Sequence, residues 1–269
     1  MDMLESLTRR LDHHLDLTVP LLYRAGKILV EEYAREQAVR QKADGTPVTN
    51  VDVKLSRSIT AELQRTFPTY GILDEEQNGD GRSEEFCWIL DPLDGTTEYL
   101  SKSGQGYGII LGLLHEQKPV MGLLYQPQFD TLTYALRGQG AYQVHEGTKK
   151  MLEVSCDTYL HVLISKYRHS PELEQLLHKL DPVRVTRSSG AIKIVEIARA
   201  TATAFVTVNP MGLWDLCGTS LILEEAGGKI TDLQGHALDF YQPERKVEQG
   251  IIASTARLHP LILERLYDG

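Results

Sequence analysis

The chain has 269 residues, with 28 Lys and Arg against 37 Asp and Glu, and so a formal charge of −9. A 42% apolar and 24% charged composition excludes wholesale disorder, and a chain of this length buries a substantial core. The acidic balance excludes non-specific binding to nucleic-acid polymers or anionic membranes, which needs a basic face; taken alone it also disfavours a phosphorylated substrate.

Residues 3–38 have apolar positions at three- and four-residue spacing, from Leu4, Leu7 and Leu11 to Leu29 and Tyr33, which predicts a helix broken or kinked at Pro20. His13-His14 reads as a surface pair on it. After the turn signal Lys42 to Pro47, Val48 to Phe67 reads as a second helix, with Thr49 or Asn50 as its N-cap. Short strands follow at Gly71–Leu73, Cys87–Leu90, Gly108–Leu114, Val120–Tyr125 and Thr131–Leu136, spaced as an antiparallel sheet against the helices. Near residue 155 the pattern changes to strand–helix alternation: strands at 161–165, 183–186 and 204–208, helices at 171–180, 191–200 and 214–226. The expected organisation is an α+β domain over 1–155 and an α/β domain over 156–269. Cys87, Cys156 and Cys217 lack metal-ligand spacing or an even count, which fits a reducing cytoplasm. The N-terminus has no signal-peptide hydrophobic region, and no apolar run approaches membrane-spanning length, so the expectation is a soluble intracellular protein.

The densest chemical signal is Trp88 to Tyr99 (WILDPLDGTTEY). An apolar strand delivers Asp91 and Asp94 around Pro92, with the Leu93 carbonyl expected to be free, a hard-oxygen set suited to Mg²⁺. Gly95 and Thr96 would open a helix whose backbone N–H groups attract phosphate. A polar turn between strand and helix reads equally well from D-x-x-D alone. Asp74-Glu75-Glu76 after a short apolar run, and Trp214-Asp215 at a helix start, are individually a solvated charge run and an N-cap; together with the first element they point to a metal site.

These pieces resemble the lithium-sensitive, magnesium-dependent inositol monophosphatase superfamily. The matching residues are Asp44-Gly45-Thr46-Pro47-Val48-Thr49-Asn50-Val51-Asp52, Glu75-Glu76, Asp91-Pro92-Leu93-Asp94-Gly95-Thr96, Trp214-Asp215 and Glu225-Ala226-Gly227-Gly228, in the family's order. The resemblance implies a mixed α and β fold, a layered αβαβα sandwich of the inositol monophosphatase and sugar phosphatase type. It implies two or three Mg²⁺ ions: Glu75, Asp91 and the Leu93 carbonyl on one, Asp91, Asp94 and Asp215 on a second, and Glu75 beside a third. Asp52 and Thr96 would orient and deprotonate the attacking water, and the Gly95 and Thr96 amides would receive the phosphate. Asp74 departs from the small residue common before the Glu pair, so the local charge at the metals is expected to differ. With two Mg²⁺ bound the formal −9 becomes about −5, and the objection to a phosphate ester lapses.

Thr97-Glu98-Tyr99, Ser165 to Ser170, Ser188 to Lys193 and Gln234 to Phe240 are similar to segments of the 3′(2′),5′-bisphosphate nucleotidases. They imply adenosine 3′,5′-bisphosphate (PAP) as substrate, with Lys193 on its second phosphate or else a solvated helix lysine. Phe205 to Pro210 lacks the Arg usual in those nucleotidases, so inositol monophosphate and fructose 1,6-bisphosphate stay open. A catalytically silent metal- or phosphate-binding regulator is the competing class; the resemblance is compatible with a homodimer, and the residues themselves do not fix the oligomeric state.

Overall fold

The computed structural model describes residues 3–35, 37–41, 47–77, 79–102, 104, 106–165, 170–187 and 190–267; Asp44-Gly45-Thr46, Lys166 to His169 and Ser188-Ser189, which entered the resemblance, lie outside them. Helix α1 (Met3–Tyr33) runs unbroken through Pro20. Its buried face, Leu11, His14, Thr18, Leu21, Leu22, Ala25 and Leu29, is continuous across the proline, and this packing outweighs the roughly 3 kcal/mol that an interior proline costs. His14 belongs to that face by spacing and is not a surface residue. It is 4% exposed, its Nε2 lies 2.8 Å from the Tyr70 hydroxyl and its ring stacks on Phe67.

A short hairpin, β1 (Val39–Gln41) with β2 (Pro47–Thr49), leads into α2 (Asn50–Thr66), so the helix starts two residues later than its apolar pattern suggests. The first sheet follows: β3 (Gly71–Asp74), β4 (Phe86–Asp94), then after α3 (Thr96–Ser101) the strands β5 (Gly108–His115), β6 (Lys118–Gln126), β7 (Thr131–Leu136), β8 (Ala141–His145) and β9 (Thr148–Leu152), hydrogen-bonded in that order. It is antiparallel except at its start, where β3 runs parallel to β4. The return segment passes directly over β3: a Cβ on Gly71 would sit 1.8 Å from the Gly81 carbonyl oxygen. That close crossing brings the chain back to the same end of the sheet.

The second sheet has the order β11-β10-β12-β16-β14, from β10 (His161–Ser165), β11 (Val183–Arg187), β12 (Ala204–Thr207), β14 (Gly228–Asp232) and β16 (Ile251–Thr255). A two-residue pair, β13 (Met211–Gly212) with β15 (Lys246–Val247), stands apart from it. The remaining helices are α4 (Pro171–Leu180), α5 (Gly190–Ala198), α6 (Leu213–Glu225) and α7 (His259–Tyr267).

Strand β4 alternates between two cores. Trp88 and Leu90 join Leu22, Leu29, Leu55 and Ile59 of α1 and α2, whereas Cys87 and Ile89 join Ile194, Leu221 and Ile222 of α5 and α6. Leu173 and Leu177 of α4 and Ile262 of α7 cover the far face of the second sheet. The layers therefore run helices, sheet, helices, sheet, helices, the expected αβαβα sandwich. Helix α6 lies against the backbone of the first sheet: a Cβ on Gly122 would come within 2.1 Å of the Gly218 carbonyl oxygen, and one on Gly112 within 2.5 Å of Cys217 Sγ. Only glycine permits that approach, and it sets the depth at which the start of α6 meets the end of β4.

Candidate active site

Asp91 and Asp94 lie on β4, three residues apart, so an ideal strand would send them to opposite faces. The ladder breaks between them: Asp91 pairs with Ile110 and Asp94 with Gly108, two residues opposing one. Pro92, which has no N–H to give a ladder, sits in this bulge. The proline therefore marks a phase change inside the strand, not the polar turn that D-x-x-D alone allows. With the alternation reset, oxygens of Asp91, Asp94 and Asp215 all come within 4.8 Å of one another. Asp215 is the third residue of α6, and its Oδ2 accepts from the Gly212 N–H at 3.0 Å. The glycine contacts under α6 carry it to that point.

Glu75 arrives from the other side. Its N–H donates to the Leu90 carbonyl at 3.1 Å, which places its carboxyl group beside that of Asp91, within hydrogen-bonding reach. Burial first, then the charges of Glu75, Asp94 and Asp215, push the Asp91 carboxyl well above the usual carboxylate range. Asp74 does not join the cluster of three: its carboxylate accepts from Ser56 Oγ (2.6 Å), Gln77 Nε2 (3.1 Å) and the Glu76 N–H (2.9 Å), holding the turn behind Glu75. A converging set of hard carboxylate oxygens, closely spaced and largely buried, fits a divalent cation of the Mg²⁺ type.

Asp52 stands at the head of α2 in a reciprocal cap. The Thr49 hydroxyl oxygen accepts from the Val51 and Asp52 N–H groups, while Asp52 Oδ2 accepts from the Thr49 N–H at 2.7 Å and from the Thr49 hydroxyl. This leaves Oδ1 facing Thr96, whose Oγ1 lies 3.2 Å from it and 3.1 Å from the Leu93 carbonyl oxygen. Thr96 has one hydroxyl proton for these two acceptors, so when it donates to Asp52 Oδ1 the Leu93 carbonyl oxygen keeps both lone pairs. Desolvation by burial, reinforced by the Glu75 charge, raises the Asp52 pKa against its hydrogen bonds to Thr49. Gly95 joins β4 to α3 in the left-handed region, at φ 82°, where a side chain would be strained.

Lys193 lies on α5 and is 1% exposed, which excludes a solvated helix lysine; its Nζ is 5.0 Å from the Phe205 ring centroid. Glu225 of the Glu-Ala-Gly-Gly element is structural: its carboxylate accepts from the Gly138 and Gly140 N–H groups, both at 2.9 Å, in the β7–β8 turn. Burial pushes the Cys87 thiol up to about 12 and raises that of Cys217 as well, so neither serves as a thiolate nucleophile. Sequence reasoning passed over Thr49 as the partner of Asp52, although Thr-x-x-Asp before an apolar run is a capping-box signal. It also passed over Arg82 and Arg245, whose partners lie far along the chain.

The sequence profile of the inositol monophosphatase family matches residues 10–268. The 3′(2′),5′-bisphosphate nucleotidase CysQ of Aggregatibacter actinomycetemcomitans is 28% identical over 92% of this chain and 95% of its own. The fold is similar to the extragenic suppressor protein suhB of Bartonella henselae, with TM-score 0.83, 26% identity and coverage of 96% of this chain and 99% of that one. It also resembles the Thermotoga maritima IMPase, with TM-score 0.82 and 23% identity over 95% of this chain and 97% of that one.

Proposed function

The chain belongs to the inositol monophosphatase family and is a phosphatase, a phosphoric monoester hydrolase, and from that premise we propose that it hydrolyses PAP to AMP and phosphate with the help of Mg²⁺. The observation that carries the reading is the convergence of Asp91, Asp94 and Asp215 beside Glu75, a few residues from the Asp52–Thr96 pair. Glu75, Asp91, Asp94, Asp215 and the Leu93 carbonyl would hold two or three ions. When bound, Mg²⁺ offsets the charge of the phosphate dianion, acidifies water and stabilises the leaving oxygen.

The chain's own groups supply the rest. Thr96 Oγ1 gives its proton toward Asp52 Oδ1 and so presents a lone pair to a water hydrogen. As the water attacks phosphorus, its proton passes to Thr96 Oγ1 and the Thr96 proton to Asp52, while the bond from phosphorus to the ester oxygen breaks and that oxygen leaves with the AMP, taking a proton from solvent. Burial, by raising the Asp52 pKa, makes that carboxylate a better base than a solvated one. The Gly95 and Thr96 amides would take the phosphate oxygens, and Lys193 the second phosphate of PAP.

The PAP reading is favoured by similarity in sequence to the nucleotidases. A monophosphatase acting on inositol or sugar phosphates is the second reading, favoured by Phe205 to Pro210, which places no basic side chain after β12. Phosphate release from PAP, inositol 1-phosphate and fructose 1,6-bisphosphate, each with and without Mg²⁺, separates them. PAP should be preferred at least tenfold and only with Mg²⁺; a tenfold preference for inositol 1-phosphate establishes the second reading instead.

A further inference from the structure

The residues that bring Glu75 and Asp215 together are not the ligands themselves. Glu75 sits on the turn after β3, whereas Asp215 opens α6, and the chain between 240 and 247 touches both. Arg245 donates from Nη2 to the Asp74 carbonyl at 2.5 Å and from Nη1 to the Gln77 carbonyl at 2.9 Å, gripping the turn on either side of Glu75 and Glu76. Its guanidinium carbon lies 5.2 Å from the Trp214 ring centroid, and its own carbonyl accepts from the Leu213 N–H at 3.0 Å, at the first turn of α6. The residues after it form β15 and pair with β13 immediately before Trp214: Lys246 opposite Gly212, Val247 opposite Met211.

A second arginine reaches the opposite way. Arg82, 5% exposed and held by Asp80 at 2.6 Å, donates from Nη1 to the Phe240 and Gln242 carbonyls at 2.9 and 2.8 Å. The 74–82 loop and the 240–247 segment are thus cross-linked twice, once from each side.

We propose that Arg245 is a positioning residue that sets the spacing between Glu75 and Asp215, so that the metal affinity of the site depends on it although its side-chain hydrogen bonds among the described residues go to backbone carbonyls. This rests on the reading of Glu75 and Asp215 as metal ligands. The residue type follows from the task. A planar fork reaches two carbonyls while its central carbon lies over an indole; a lysine ammonium, a point charge, cannot do all three. Outer partners that orient metal ligands typically govern affinity by about 10–100-fold.

Calorimetric titration of the full chain with Mg²⁺, alongside melting in EDTA, tests the proposal on the wild type and on R245M, R245K, E75Q and D215N. R245M should bind Mg²⁺ at least about tenfold more weakly than the wild type, and R245K should recover only part of the loss, because it restores the charge without the fork. R245K alone carries the comparison if R245M does not fold. A residue that only stabilises the fold would lower the melting temperature and leave the affinity of the folded protein unchanged; Mg²⁺ binding by R245M within twofold of wild type therefore overturns the proposal. Full recovery in R245K overturns it too, since charge alone would then suffice. If E75Q and D215N bind Mg²⁺ as the wild type does, the ligand reading itself has failed, a result distinct from both.

Discussion

Asp91 and His259 are both buried and both ionisable, and their surroundings differ in kind. His259, fully buried in the layer beyond the second sheet, has Nδ1 2.8 Å from Ser254 Oγ and Nε2 3.0 Å from Thr231 Oγ1. One ring nitrogen donates and the other accepts, so the neutral imidazole is fully matched, and burial, aided by the Lys229 charge, pushes its pKa down to about 4. Asp91, 2% exposed, accepts from the Leu93 N–H at 2.9 Å, but the charges that act on it most strongly are three more carboxylates. A buried group whose neighbours complete it is part of the architecture. One whose neighbours share its charge is arranged for something that arrives from outside.

The comparison breaks first, if at all, at Asp94. Asp94→Asn should cut turnover by at least about 10³-fold with the fold intact, beyond the roughly 10–100-fold cost of losing an outer partner; circular dichroism with a phosphate-release assay reads both, and retained turnover would mean the metal site is elsewhere. His259 is the next test. Above pH 6.5 folded and unfolded chains both hold it neutral and its contribution is whole; as pH falls from 6.5 toward 4 the unfolded chain binds a proton the folded one refuses, and about 3 kcal/mol is lost. Urea unfolding at pH 7 and pH 4 should show that loss in the wild type and a smaller one in His259→Asn.

Mg²⁺ sharpens the contrast from the other side. At a hundredfold excess over its dissociation constant it should stabilise the wild type by about 2.7 kcal/mol and leave Asp94→Asn nearly unmoved, read as the shift in melting temperature against EDTA. The smallest effect belongs to the cap of α2. Thr49→Val should cost about 1 kcal/mol of stability. It should also slow turnover, because Asp52 Oδ2 loses the hydroxyl that orients it; unchanged turnover would show that Asp52 is positioned without the cap.

The site was legible wherever its parts are contiguous. Asp91, Asp94, Gly95 and Thr96 lie in one run, and Trp214-Asp215 needs only its helix start. What could not be read from the residues is geometry acting at a distance. The bulge at Pro92, which turns Asp94 to the side of Asp91, depends on the register of β5, and the grip of Arg245 joins residues about 170 positions apart. His14 and Pro20 were misread for the opposite reason. Residue type outweighed spacing in the reading, whereas in the protein the buried stripe of α1 outweighed residue type. Strand β9 shows no alternation because four of its five residues, Lys149 and Lys150 among them, are exposed.

Strand β16 lies inside the second sheet, between β12 and β14. During synthesis, β4 and its two aspartates leave the ribosome long before residues 251–255, and β12 and β14 have no common neighbour until those residues appear. The strands that carry Asp91 and Asp94 can therefore take shape early, while the second sheet closes only once residues 251–255 have been made. Until then β12 and β14 stand apart, so the second sheet gains its order from a strand made after every residue of the candidate site.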